Sequence, residues 1–273
     1  MSINFGLAQH DGYKTPTEDY VAHKIYENGY ELFAIFDGHN NDFFSKQAAY
    51  ILPEILVNQF ETKHTPEHIR TILEMAFQET DKILLDGPKY GGTTATITVI
   101  TETHIIIASV GDSIALQLDL SGNLLCATED HNTENPKECE RIIAAGGKVL
   151  KDIYNEPRVQ GTLQLTRSIG DLTYKKFGLI ALPQIIIRER APGYLVLMSD
   201  SFVECNTYSF LFDTIIRHNY NRNDLAKYTF SFIEKSDLTY SANQIVLNQV
   251  NKFRDRLTGY HYGDNTSLFY IQL

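Results

Sequence analysis

Short runs of β-branched and aromatic residues alternate along this chain with longer stretches in which apolar positions recur every three or four residues. The short runs are YELFAIF (30–36), TATITVI (94–100), HIIIAS (104–109), SIALQL (113–118), YLVLMS (194–199) and TSLFYIQ (266–272), and each reads as a buried strand. The helical period fits 42–60, 66–85, 134–145, 208–217, 223–234 and 240–257. Thr65 is placed to cap the second of these, with Pro66 at its first helical position. Between 94 and 118 three strands follow one another with only short turns, which leaves no room for helical crossovers. The pattern predicts an α+β fold of antiparallel sheets flanked by helices, not a doubly wound parallel sheet. No Pro/Gly/Ser-rich linker and no internal repeat breaks the chain, so 1–273 reads as one domain; the less regular stretch 150–190 is expected to run over its surface.

The polar residues at the strand ends raise the question of chemistry. FAIFDGHNN (33–41) is an apolar run that ends on an acid, a glycine and a histidine, where a turn needs only Asp-Gly. Glu18 and Asp19 open a first strand, Asp37 ends one, and Asp112 lies in a turn between two; Asp200 ends another, and Asp264 precedes the last. In an antiparallel sheet the end of one strand lies beside the start of the next, so this alternation would gather all six carboxylates at one edge. Each one alone is an ordinary turn or strand-start residue. Together they would repel one another unless cations neutralised them, and oxygen-only ligands in this number suit Mg²⁺ or Mn²⁺ rather than zinc.

Composition narrows the classes. Acidic residues outnumber basic ones by 34 to 24, a formal charge of −10, and no Lys/Arg stripe stands out, so nucleic acid is not an expected partner. Apolar residues at 43% and charged residues at 21% fit a soluble globular protein. Cys126, Cys139 and Cys205 have no metal-ligand spacing, and their odd number fits reduced thiols and a reducing compartment. The N-terminal MSINFGLAQHDGYK lacks a charged segment followed by a long apolar one, and no apolar run is long enough for a bilayer. A cytoplasmic protein without membrane contact is expected, and as nothing specifies an interface, a monomer.

Taken together with these residues, the sequence resembles the metal-dependent protein phosphatases of the type 2C (PPM) family. The match runs in order through KTPTED (14–19), FAIFDGH (33–39), GGTTAT (91–96), ASVGDS (108–113), EDHNTENPKECERIIAAGGKV (129–149), LQLTRSIGDLTYK (163–175), YLVLMSDSFVE (194–204) and GDNTSLFYI (263–271). The resemblance implies a central antiparallel β-sandwich with helices packed outside, and two divalent ions at its edge. It implies that Asp37 bridges the ions, that the Gly38 carbonyl ligates one, and that Asp200 and Asp264 complete the other. Glu18 and Asp19 would hold metal-bound waters, and Asp112 and Glu204 fall where the family can hold a third, weaker ion. The implied reaction is hydrolysis of phosphoserine and phosphothreonine in phosphoproteins by a water that bridges the two cations, with His39 protonating the leaving oxygen.

Several positions depart from the family pattern. Lys14 stands where most members have an arginine that grips the substrate phosphate, and a lysine offers a point charge in place of a planar fork. Asn40 and Asn41 replace small residues, although asparagine tolerates left-handed backbone. Ser201 stands in place of a glycine, which would strain the Asp200 ligand if that position required positive φ. Val203 stands where many members have tryptophan, and Glu204 where many have aspartate. Two alternatives therefore stay open: a pseudophosphatase acting as a binding or scaffold module, and a hydrolase of another phosphoester adduct on protein. The stretch 150–190 resembles the family's flap beside the cleft, and Arg167 and Asp171 within it are expected to give structural support.

Overall fold

All six of the strand-like runs form strands in the structure, a computed structural model that describes residues 3–12, 16–202, 222–233, 237–252 and 265–273. In chain order the strands are β1 (Phe5–His10), β2 (Asp19–Ile25), β3 (Glu31–His39), β4 (Gly92–Thr93), β5 (Ala95–Ile100), β6 (His104–Val110), β7 (Ile114–Asp119), β8 (Leu124–Ala127), β9 (Val149–Lys151), β10 (Pro157–Val159), β11 (Ile169–Gly170), β12 (Gln184–Glu189), β13 (Gly193–Met198) and β14 (Thr266–Gln272). The helices are α1 (Phe43–Gln59), α2 (Pro66–Ile83), α3 (Pro136–Ala144), α4 (Leu172–Lys175), α5 (Arg222–Phe230) and α6 (Leu238–Lys252). The expected helix at 208–217 and the end of the one at 240–257 lie outside the described residues. Thr65 does cap α2: its hydroxyl accepts from the His68 N–H, and Pro66 opens the helix where no N–H partner is needed.

The chain forms two compact units. Unit one takes residues 1–19, 114–127 and 191–273, and unit two takes 20–113 and 128–190. In unit two a sheet of order β11-β4-β3-β5-β6-β12, with β2 also on β3, carries α1 against β3 and α2 against β6. Its core is built from Leu32, Ala34, Phe36, Phe44, Leu52, Phe77, Ile97 and Ile106, all fully buried. In unit one the order is β1-β14-β13-β7-β8, with α6 on β1 and β14 and α5 on β8. Its core includes Leu116, Val196, Met198, Phe202, Ala242 and Leu268. The described pairings in these two sheets are antiparallel, as the short turns predict. The run of three strands between 94 and 118 is not one meander, however: β5 and β6 pair, whereas β7 joins the sheet of unit one.

The stretch 150–190 is more structured than its pattern suggests. It holds β10, β11, α4 and β12, and the IIIR run of β12 pairs with β6 over its whole length. Glu138 on α3 clamps this stretch. Its carboxylate takes Arg167 at 2.7 and 3.0 Å and Arg141 at 2.6 Å, and the Thr166 hydroxyl donates to it at 3.0 Å. The two guanidiniums continue outward to the carbonyls of Gly178, Thr166 and Leu182, so one buried anion ties down three points of the backbone. Burial alone would raise the Glu138 carboxyl, but the hydrogen bonds and charges of Arg167 and Arg141 outweigh it and hold it at about 2. Nearby His131 is pushed down to about 4 by burial and by the charge of Arg167. Among the described residues no helix is long and apolar enough to cross a membrane; the Cys126 thiol donates to Gln117 Oε1 and the Cys139 thiol to the Thr133 carbonyl.

Two groups therefore make folding acid-sensitive. The Glu138 pairing is fully present above its unfolded value of 4.5 and is lost as pH falls toward 2; buried neutral His131 begins to cost stability below 6.5, as the unfolded chain takes up a proton first. Glu138→Gln should lower unfolding free energy at neutral pH by about 3 kcal/mol, the size expected when one partner of a buried charge cluster is removed. Urea melts of wild type and variant between pH 7 and 3 would test this. A gap between them that stays constant with pH would count against the assignment to Glu138.

Candidate active site

The residues of β3 from Glu31 to Phe36 are all buried, and Asp37, Gly38 and His39 follow them at the strand's end. Asp37 does not terminate it. The ladder continues through Gly38 opposite Thr93 and His39 opposite Gly92, because β4 supplies two further residues of antiparallel partner. Both backbone groups of Asp37 are taken: its N–H donates to the Thr94 hydroxyl at 3.1 Å, and its carbonyl accepts from the Thr94 N–H at 2.9 Å and the Thr93 hydroxyl at 3.1 Å. The Thr94 hydroxyl is in turn 2.7 Å from that of Ser113. This leaves the Asp37 carboxylate as the residue's chemical handle on a fixed backbone. The loop that brings Ser113 up turns at Gly111, whose φ of +91° and closeness to Thr94 exclude a side chain; a Cβ there would lie 2.6 Å from Thr94 Cγ2.

His39 is gripped from the opposite side. Its Nε2 lies 2.9 Å from both carboxylate oxygens of Asp171, which is buried. An ionised carboxylate only accepts, so Nε2 carries a proton and donates it there. The Ser168 hydroxyl donates to Asp171 Oδ2 at 2.6 Å, and the Asp171 N–H donates to the Gly91 carbonyl at 2.8 Å. Gly92 admits the carboxylate, since a Cβ on it would fall 2.4 Å from Oδ2. Beneath this loop the Lys175 ammonium meets Asp81 at 2.9 Å and donates to the Ser168 carbonyl at 2.8 Å. Burial pushes that ammonium down, against the opposing pull of Asp81 and Asp171.

Asp112, half-buried beside Gly111, accepts weakly from Asn132 at 3.3 Å. Burial and the neighbouring Asp130 push its carboxyl up to about 6, against Asn132 and His39. Two neighbouring carboxylates repel one another, a repulsion that a bound cation would relieve. Asn40 and Asn41 fit their places. Asn40 takes a φ of +66°, as asparagine can, while the Asn41 amide donates to the Tyr90 carbonyl at 2.8 Å and its oxygen accepts from the Phe43 N–H.

In unit one, Asp19 is buried and accepts from the Ser267 hydroxyl at 2.8 Å. Ser199 and Ser267 bind each other's backbone at 3.0 and 3.1 Å, and the Ser199 and Ser201 hydroxyls are 3.3 Å apart. The Glu18 N–H donates to Asn265 Oδ1 at 2.7 Å, and the Asn265 amide binds the Asp11 carbonyl. Asp200 follows β13 and is half-buried. The strain foreseen at Ser201 does not arise: it is buried in a helical turn and is not among the non-glycine residues with positive φ, which among the described residues are Asn40, Asn155, Gln160 and Asp171. Lys14, Val203, Glu204 and Asp264 lie outside the described residues. Among the described residues, no three His, Cys, Asp or Glu side chains gather as a group that could hold a metal.

Arg167 supports structure, as expected, through Glu138. Asp171 does more, and its contact with His39 could not be read from the sequence, where IGD (169–171) looks the same as the turn VGD (110–112).

A family model described as "Protein phosphatase 2C" matches residues 5–238. Curated relatives include "Probable protein phosphatase 2C 78" of Arabidopsis thaliana, 30% identical over 220 residues, covering 72% of this chain and 52% of that protein. "Probable protein phosphatase 1N" of Homo sapiens is 32% identical over 184 residues, covering 64% of this chain and 41% of that protein. The chain thus spans about half the length of such relatives. Among solved structures, a serine-threonine phosphatase 2C from Toxoplasma gondii superposes with a TM-score of 0.78 at 17% identity, over 99% of this chain and 94% of that one. A C. elegans sex-determining protein gives 0.81 at 20% identity, over 100% and 65%. The fold of antiparallel sheets and helices is shared with these structures.

The hydroxyl that seats Asp37 gives a direct test. Thr94→Val leaves the Asp37 N–H and the Ser113 hydroxyl without their partner and should cost about 1–3 kcal/mol, while Thr94→Ser, which keeps the hydroxyl, should cost less. Gly111→Ala should destabilise as well, through both φ and contact. Thermal melts of the three would show the ranking; a Val variant as stable as the Ser one would remove Thr94 from this role.

Proposed function

The chain belongs to the protein phosphatase 2C family, and from that premise we propose that it hydrolyses phosphoserine and phosphothreonine in proteins with the help of Mg²⁺ or Mn²⁺. The observation that carries the reading is the end of β3, where an otherwise buried strand presents Asp37, Gly38 and a histidine held by a buried carboxylate. By resemblance, Asp37, the Gly38 carbonyl, Asp200 and Asp264 would hold two ions, Glu18 and Asp19 would hold waters beside them, and Asp112 and Glu204 are candidates for a weaker third. When bound, such ions supply charge neutralisation at the phosphoryl oxygens and acidify the attacking water.

The chain's own residues do the remaining work. The Thr94 and Thr93 contacts hold the Asp37 backbone so that its carboxylate is presented without rearrangement. His39 donates a proton to the serine or threonine oxygen as the phosphorus–oxygen bond breaks, which an alkoxide leaving group needs. Lys14 attracts the substrate phosphate as a point charge. Lys14, Asn40, Asn41 and Ser201 motivate the pseudophosphatase alternative; of these the three described residues, Asn40, Asn41 and Ser201, sit in conformations that suit them, and this favours catalysis over a purely binding role.

Hydrolysis of p-nitrophenyl phosphate and of a phosphothreonine peptide, with Mn²⁺, Mg²⁺ or chelator, tests the proposal. Activity should require metal and fall to the chelated baseline in Asp37→Asn. Folded wild type inactive on both substrates at every metal concentration would leave the pseudophosphatase reading or another phosphoester. Lys14→Arg should lower KM for the peptide several-fold with little change in kcat, because a two-pronged donor strengthens ground-state and transition-state binding alike. An unchanged KM would remove Lys14 from the substrate.

A further inference from the structure

We propose that Asp171 is a positioning residue for His39: it holds the imidazole in one tautomer and one orientation for proton delivery to the leaving oxygen, an inference that rests on the phosphatase reading above. The contact is two-pronged, with Nε2 at 2.9 Å from each carboxylate oxygen, so the ring is fixed in direction as well as in distance. Asp171 itself is over-determined. It is buried, its backbone sits in the left-handed region at φ 50°, ψ 42°, its N–H is tied to Gly91, and Ser168 holds the oxygen that Gly92 leaves room for. A non-glycine residue kept in left-handed backbone is uncommon and persists where its surroundings enforce it.

Holding the loop together does not explain this side chain. The backbone around it is already fixed by other groups: Arg167 and Arg141 on Glu138 anchor 166–167, the Lys175 ammonium takes the Ser168 carbonyl, and Asp81 accepts from the Gly170 N–H at 2.9 Å. The Asp171 carboxylate adds its hydrogen bonds from His39 and from Ser168, and Ser168 in turn steadies it toward the ring. A carboxylate on one imidazole nitrogen selects the tautomer and fixes the direction of the ring. In the step served, a water oxygen bonds to phosphorus as the bond to the serine or threonine oxygen breaks; that bond's electrons go to the leaving oxygen, which takes a proton from the imidazolium and departs as a neutral alcohol. The ring is left neutral, with its Nε2 proton still directed at Asp171.

The test uses two leaving groups. A serine or threonine oxygen needs a proton as it departs, whereas p-nitrophenolate is a stable anion and does not. With saturating Mn²⁺, Asp171→Asn should lower the ratio of kcat on a phosphothreonine peptide to kcat on p-nitrophenyl phosphate by about tenfold or more, within the range of general-acid contributions. Peptide KM should stay near the wild-type value, and His39→Ala/Asp171→Asn should fall no further than His39→Ala. Ser168→Ala, a milder change, should lower the same ratio by a smaller factor and covers the case in which the Asn variant folds poorly. A ratio unchanged in both variants, or equal losses on both substrates with a lowered melting temperature, overturns the positioning role while leaving the phosphatase reading intact. Folded wild type inactive on both substrates overturns the phosphatase reading and this inference together.

Discussion

A strand buried along its whole apolar length can carry polar chemistry only where it leaves the core, and β3 is such a strand. From Glu31 to Phe36 every residue is buried, so the sheet fixes the position and direction of the next three residues before their own side chains matter. Extension of the ladder by β4 then carries that rigidity through His39. Asp37 and His39 are thus held as strand residues, where a flexible turn would have left them to find their places. Sites on regular elements are held more tightly than sites on loops, and the threonine and serine hydroxyls around Asp37 extend the same logic to the backbone hydrogen bonds that the strand end would otherwise leave unmet.

Around this strand end the backbone is unusually constrained. Gly111 turns with positive φ, Gly92 makes room for a carboxylate, and Asn40 and Asp171 adopt left-handed conformations that most side chains resist. Such positions cost free energy and are kept where neighbouring contacts compel them. For Asp171 the neighbouring contacts include the Glu138 clamp and the partly buried Lys175–Asp81 pair, which tie the irregular stretch before it to α3 and α2.

Much of the architecture was legible because it follows from periodicity. The six apolar runs became strands, α1, α2 and α3 matched their predicted spans within a few residues, and the antiparallel class followed from turn length. The elements that escaped did so for physical reasons. β1 (FGLAQH) and β8 (LLCA) lack β-branched residues and are strands by virtue of their partners. The IIIR run of β12 carried the signal but was submerged in a segment taken for surface chain. For the candidate site, the sequence identified Asp37, Gly38 and His39 by type and order, but not the partner of His39. A Gly-Asp dipeptide reads as a turn whether its carboxylate faces water or an imidazole, and only the folded loop separates Asp171 from Asp112.

The pairing of β1 with β14 sets an order for synthesis. Phe5 lies opposite Ile271 and His10 opposite Thr266, so β1 waits for a partner made long after it. The helix α6, which also packs on β1, comes nearly as late. Unit two, by contrast, draws on 20–113 and 128–190 and has all of its strands once residue 190 is out. At translation speeds of about 5–20 residues per second, β1 spends tens of seconds without its partner. For that interval a strand with an unpaired edge is exposed to the crowded surroundings of a nascent chain.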